Sequence, residues 1–269
     1  MRKRKHSPVR FLKLLLACGF VLTVVWAAQL YRQEYREEKK NASLSDIHED
    51  AGAGKEHDPV YTGSKTNSAA QQISAAYQEL SDLNGDYLGW LKVYGTQIDL
   101  PVVLGADNEY YLNHDFYGEE SSYGTLFADC LTQQEDEPGT AEGNLLIYGH
   151  HMRNGSMFGE LTSFCEEDFF KKHSLVRWEG KYGVRYYRIF AALVIPGYED
   201  APDYFPIREY LDKPDEGEQS RLLKQLRERA VMWRKTSFRE EERFLFLMTC
   251  DYTRENGRLL LCARCIAGE

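Results

Sequence analysis

Residues 244–265 read FLFLMTCDYTRENGRLLLCARC. An unbroken apolar run ends in Thr249 and a single cysteine, Cys250; a polar connection follows, and a second apolar run opens at Arg258. Short apolar runs bounded by turn residues read as strands, and the connection is tight enough to lay these two side by side. A cysteine at the end of such a strand is either core filling, the commoner fate of this residue, or a nucleophile. An ordinary thiol is only a few per cent thiolate near neutral pH, so a catalytic one wants a basic neighbour. Acyl transfer also wants a donor for the developing oxyanion.

Working outward, both partners are present. LLIYGHHMRNGSMF (145–158) ends a strand-like run in Gly149, His150 and His151, and Arg258 begins the strand that follows Cys250. The remaining texture between residues 89 and 267 is of short β-like segments punctuated by turns: GWLKVYG, IDLPVVLG, YGTLFADC, GNLLIYGH, SLVRWEG, VRYYRIFAALVIPG, ERFLFLMTC and GRLLLCARCIA. Eight such segments predict a mainly β domain built as a closed or nearly closed barrel. An amphipathic helix over 67–83, with Ile73, Ala76, Tyr77, Leu80 and Leu83 at helical spacing, opens the domain. Two helical stretches interrupt the strands. One is SMFGELTSFCEEDFFKKH; the other is EGEQSRLLKQLRERAVMWRK, with Leu222, Leu223, Leu226, Ala230 and Trp233 on one face.

The N-terminus is a separate region. MRKRKHSPVR is strongly basic, and FLKLLLACGFVLTVVWAAQL is long and apolar enough for a single uncleaved transmembrane signal anchor. The cluster Arg2, Lys3, Arg4, Lys5, Arg10 and Lys13 predicts a cytoplasmic N-terminus, with everything after it outside. Residues 1–30 therefore read as tail and anchor, 31–66 as a charged, then Gly, Ser and Asp rich, flexible stalk, and 67–269 as the catalytic domain.

The chain carries 33 basic against 42 acidic side chains, a formal net charge of −9. With six of those cations in the N-terminal tail the remainder is more acidic still, which argues against a nucleic-acid partner and leaves peptides or cell-wall material. The six cysteines, Cys18, Cys130, Cys165, Cys250, Cys262 and Cys265, are too irregularly spaced for a disulfide framework. Cys262 and Cys265 lie three apart on one strand and so on opposite faces, poor geometry for a disulfide or a shared metal. No cofactor and no metal is expected, since His150 and His151 diverge at a strand end and no ligand cluster completes a site.

At these residues the chain resembles the sortases, and within them class B, the membrane-anchored cysteine transpeptidases of Gram-positive bacteria. The resemblance runs over about residues 70–267. It rests on YGHHMRNGSMF, similar to the stretch around the family's catalytic histidine, on FLMTC, similar to the TLxTC that ends in its nucleophile, and on NGRLLL, similar to the segment carrying its arginine. YYLNHDFYGEESSYGTLFAD also looks like class B sequence. One departure is Phe246, where the family has the first threonine of TLxTC; it lies on the strand face of Cys250 and should alter packing rather than chemistry. The resemblance implies an eight-stranded sortase-type β-barrel with an N-terminal helix and a long helix before the cysteine-bearing strand.

Residue by residue, it makes Cys250 the nucleophile, His150 the catalytic histidine and Arg258 the arginine. Asn108, Leu112, Tyr204, Phe205 and Asp251 are expected along the peptide groove. The activity implied is cleavage of a C-terminal sorting motif, LPxTG-like or NPxTN-like, on secreted proteins through a thioacyl-enzyme, with transfer to an amine of a peptidoglycan precursor or a pilin. His150 is preferred over His151 on the family match alone, and Arg258 over Arg264 because it starts the strand beside Cys250. His114 and His173 read as surface or structural. Two rival functions remain: a papain-like wall peptidase, which the order histidine before cysteine disfavours, and a membrane-anchored binding protein without turnover.

Overall fold

The computed structural model describes residues 8–50, 66–132, 143–212, 215–240 and 242–268. The chain divides into two compact units, Met1–Ser43 and Leu44–Glu269. Helix α1 runs from Pro8 to Asp50 and α2 from Thr66 to Leu83. Among the described residues one helix is long and apolar enough to cross a membrane, over Leu15–Asp50 of α1.

Nine strands follow among the described residues: β1 Tyr87–Val93, β2 Asp99–Val103, β3 Leu126–Ala128, β4 Leu145–Tyr148, β5 Leu175–Gly180, β6 Gly183–Pro196, β7 Ala230–Trp233, β8 Phe244–Asp251 and β9 Gly257–Gly268. Helix α3 is Glu167–Lys172 and α4 is Glu216–Arg229. The hydrogen-bonded order β5-β1-β2-β3-β4-β8-β9-β6 returns to β5 through a β5–β6 pairing, closing a barrel of eight strands. The long β6 closes it by pairing β5 with its first half, Gly183–Arg188, and handing the same edge to β7 at Ala191–Leu193. Two neighbours run parallel, β2 with β3 and β4 with β8.

Strand alternation sorts the side chains into two cores. Leu91, Val102, Leu126, Ile147, Val176, Ile189, Leu247 and Leu261, one from each barrel strand, meet in the interior cluster. The opposite face of β8 and β9, with Phe244, Phe246, Met248, Leu260 and Cys262, packs outward under Phe205, Ile207, Leu222 and Leu226. Helix α4 covers that outer face and is started by a reciprocal cap, Asp215 accepting from the Glu218 backbone while Glu218 reaches back to Asp215.

Two sequence expectations need correction. Ala230 and Trp233 continue the apolar spacing of α4, yet the helix stops at Arg229 and residues 230–233 form β7. The apolar AVMW is suited to a pleated surface, and the free edge of β6 supplies the ladder, with Trp233 edge-on to Phe190 at 5.4 Å. The expected stalk is helical as far as Asp50, and its last turns belong to the compact unit. Leu44 is fully buried with Leu80 and Trp90, and His48 stacks on Trp90 at 4.2 Å and reaches Glu179 at 3.1 Å. Residues 51–65 lie outside the described residues.

Candidate active site

Cys250 and Arg258 are direct partners across the antiparallel β8–β9 ladder. On the other side of β8, strand β4 runs parallel in the register Leu145↔Leu245 to Tyr148↔Met248. Carried on by two residues, that register sets His150 beside Cys250. The chain holds it past the end of β4: the Gly149 amide donates to the Met248 carbonyl at 3.2 Å, and the Thr249 hydroxyl donates to the Gly149 carbonyl at 2.8 Å. The three residues thus lie on β8, on its neighbour β9, and just past the end of its other neighbour β4. Each shares the alternation of Tyr148, Met248 and Leu260, which pack on the outer cluster, so all three emerge on one face, at the edge of the outer core.

Gly149 has to be glycine here, because a Cβ would stand 2.4 Å from Leu126 Cδ2 and 2.8 Å from Phe158. His150 Nε2 lies 2.7 Å from the Leu112 carbonyl oxygen. A carbonyl only accepts, so Nε2 carries hydrogen in this contact and Nδ1 is the nitrogen left for proton exchange. His151 points elsewhere, its Nδ1 lying 2.8 Å from the carbonyl oxygen of Cys250. The Arg258 guanidinium donates through Nη1 to Asn256 Oδ1 at 3.1 Å and to the Gly257 carbonyl at 2.9 Å.

The other expected residues divide. Asn108 donates to Asp129 at 3.0 Å and accepts from the Cys130 amide at 2.8 Å. Asp129, fully buried, also accepts from the Tyr148 hydroxyl at 2.8 Å and from Arg208 Nε at 2.8 Å. Burial, then the Asp129 charge, pushes the Tyr148 hydroxyl far above the usual phenol range. Tyr148 is two residues before His150, so this network lies along the strand that leads to the histidine. Leu112 is half-buried and reaches the site through its backbone carbonyl. Tyr204 is half-buried, whereas Phe205 is only 1% exposed and packs in the outer core. Asp251 alternates to the face opposite Cys250, where it is buried and accepts from the Thr253 amide at 2.9 Å. The structure therefore buries Phe205 in the core on the face that Cys250 shares, and turns Asp251 away from that face.

Arg264 is opposite Phe244 at the far end of the β8–β9 pair and binds Glu242 at 2.6 Å, remote from Cys250. None of the six cysteines, all of them among the described residues, is in a disulfide. Cys262 packs in the outer cluster and Cys265 against the interior one. Burial raises the Cys262 thiol well above its ordinary value and, helped by Asp251 and Glu166, lifts Cys165 to about 11. Among the described residues no group of three or more His, Cys, Asp or Glu is placed to hold a metal ion.

Residues 91–266 match the sortase domain. The chain belongs to the sortase family. It is 28% identical to sortase B of Listeria monocytogenes over 250 residues, 92% of each protein. A class B sortase of Streptococcus pyogenes involved in pilus biogenesis superposes with a TM-score of 0.60 at 30% identity, covering 71% of this chain and 97% of that one. The Staphylococcus aureus sortase B–substrate complex shares the fold at 22% identity, with a TM-score of 0.69 over 87% of this chain and 98% of its own. This sortase is accordingly a class B cysteine transpeptidase, the eight-stranded barrel is the family's, and the family is associated with the cell surface.

Proposed function

We propose that Cys250 is the nucleophile, His150 the general acid and base, and Arg258 the cationic donor of a transpeptidation on secreted proteins. The observation that carries this reading is the register that sets the three residues on one face at the ends of β4 and β8 and the start of β9. The Cys250 thiolate attacks a backbone carbonyl of an LPxTG-like or NPxTN-like sorting motif, and the oxyanion that develops lies within reach of the Arg258 guanidinium. As the C–N bond breaks, His150 gives its Nδ1 proton to the departing amine, leaving a thioester on Cys250. An acceptor amine then attacks the thioester, its proton returns to His150, and the thiolate is released with a new amide bond formed.

Asn108 and Tyr204, with the Asp129-anchored Tyr148, are the residues assigned to the motif side of the groove. The acceptor is an amine of the wall peptide or a pilin lysine; the pilus role of the Streptococcus pyogenes relative supports keeping both. Helix α1 anchors the enzyme with its basic tail in the cytoplasm and the barrel outside, as the positive-inside tendency directs.

The test uses the full chain in detergent micelles with quenched peptides bearing either motif, with and without added amine, alongside Cys250→Ala. Cysteine-dependent cleavage with amine-enhanced ligation is the expected result. A folded wild-type enzyme that cleaves neither motif would refute the assignment.

A further inference from the structure

The two adjacent histidines have different partners, and only one is used in the proposed reaction. His150 turns to the Leu112 carbonyl, while His151 Nδ1 is 2.8 Å from the carbonyl oxygen of Cys250 itself. That oxygen has no hydrogen to give, so Nδ1 of His151 carries the proton and donates it. The regular β4–β8 ladder ends at Tyr148↔Met248. Beyond it the nucleophile's strand is tied to the histidine segment by the Gly149 amide on Met248, the Thr249 hydroxyl on Gly149, and His151 on Cys250. The last of these ties is the one that reaches the nucleophile's own peptide group.

His151 is itself held in place. It bridges Met157, the Phe158 amide donates to the His150 carbonyl at 2.9 Å, and its ring lies 4.9 Å from that of Tyr252. The donor is therefore pre-set rather than swinging free. Small errors in the placement of reacting groups cost large factors in rate, and the Cys250 carbonyl carbon is bonded to the same Cα that carries the thiol-bearing Cβ, with one soft torsion between the C=O and that bond.

We propose that His151 is a positioning residue: its Nδ1–H fixes the carbonyl of Cys250 and thereby the direction of the thiol toward His150 and Arg258. The inference rests on Cys250 being the nucleophile. Its chemistry makes a distinctive demand on substitutions. In asparagine the amide nitrogen occupies the place of histidine Nδ1 relative to Cα, so His151→Asn keeps the donor. His151→Ala removes it, and His151→Gln carries it one bond too far. A ring that served only to pack on Tyr252 would instead make asparagine as poor as alanine.

Steady-state kinetics on the full chain in micelles, with thermal unfolding of each variant, test this. His151→Asn is expected to retain kcat within about threefold and an unchanged pH–rate profile, whereas His151→Ala and His151→Gln lose about tenfold or more in kcat at nearly constant KM. Should His151→Ala not fold, the asparagine–glutamine contrast alone decides. Wild-type kcat in the glutamine variant, or equal losses in the asparagine and glutamine variants, would overturn the positioning role. Loss of a pH limb in His151→Asn would overturn it too, by making His151 a proton carrier. Absence of cysteine-dependent turnover in the wild type would instead overturn the reading of Cys250, so the two failures are distinguishable.

Discussion

The β8–β9 pair has one end that is covered and one that is open, and the same residue types do different work at each. At the covered end Arg264 is opposite Phe244, is 16% exposed, and is neutralised by Glu242, 3% exposed, at 2.6 Å. Close by on that face, Cys262 is fully buried against Phe246 and Leu222. At the open end Cys250 is half-exposed, and the Arg258 guanidinium bonds to the neutral oxygens of Asn256 and Gly257. A cation balanced by a buried carboxylate is committed to that partner, and removing either one strands a buried charge; one held by neutral acceptors keeps its charge for a developing oxyanion. One strand face is thus half core and half site, and the boundary is where α4 and the segment before it stop covering the strands.

The sharpest way to break this contrast is to exchange the cysteines' fates. Cys250→Ala should remove turnover by about a thousandfold or more while thermal unfolding stays near wild type. Cys262→Ser should do the reverse, burying a hydroxyl among apolar side chains at a cost of about 1–3 kcal/mol, with activity per folded molecule retained. Alkylation gives a second view. Cys165 is lifted to about 11, so at pH 8 only about a thousandth of it is thiolate, and its labelling should rise only as the pH approaches that value. Cys262 should likewise resist. Peptide mapping after brief alkylation at pH 8 is expected to find Cys250 modified and these two intact; early modification of Cys165 would contradict the comparison.

The arginines offer a smaller test of the same kind. Arg258→Lys replaces a planar fork with a single ammonium and should lower kcat/KM by about 10–100-fold with little effect on unfolding. Arg264→Leu leaves the Glu242 carboxylate buried without its partner and should cost about 3 kcal/mol of stability, with kcat per folded molecule unchanged. Equal kinetic losses in both would mean that the covered end communicates with the chemistry.

Much of this was readable beforehand, for physical reasons. Each of the eight barrel strands overlaps one of the eight segments of β-like sequence, because each has residues committed to the barrel interior. β7 was hidden because Ala230 and Trp233 also satisfy helical spacing, and what decides between helix and strand is the edge of β6, which is distant in sequence. The packing of Leu44 and His48 was masked by the charged residues around them, which read as a solvated stalk. At the site, residue order and motif pointed to His150, Cys250 and Arg258. Asp251 was carried along by resemblance, although simple alternation already puts it on the face away from Cys250. The parts with no side-chain signature were invisible: the Leu112 carbonyl that receives His150, and the Cys250 carbonyl that receives His151.

Gly197 extends the comparison to its finest scale. The residue follows β6, donates its amide to the Asn256 carbonyl at 2.8 Å, and lies directly against the Arg258 guanidinium. A Cβ there would be 2.9 Å from Arg258 Cζ and 2.9 Å from the Asn256 carbonyl oxygen. The arginine side chain can swing away, but the carbonyl belongs to the turn that carries it, so Gly197→Ala should move both by a few tenths of an ångström. The expected outcome is a loss of about three- to tenfold in kcat with KM and unfolding temperature nearly unchanged, since the contact is at the open end, where little core is at stake. In an Arg258→Lys background the same substitution should do much less, because the slimmer ammonium no longer fills the space over Gly197. Losses that instead add fully in the double mutant would show that Gly197 acts through something other than the arginine.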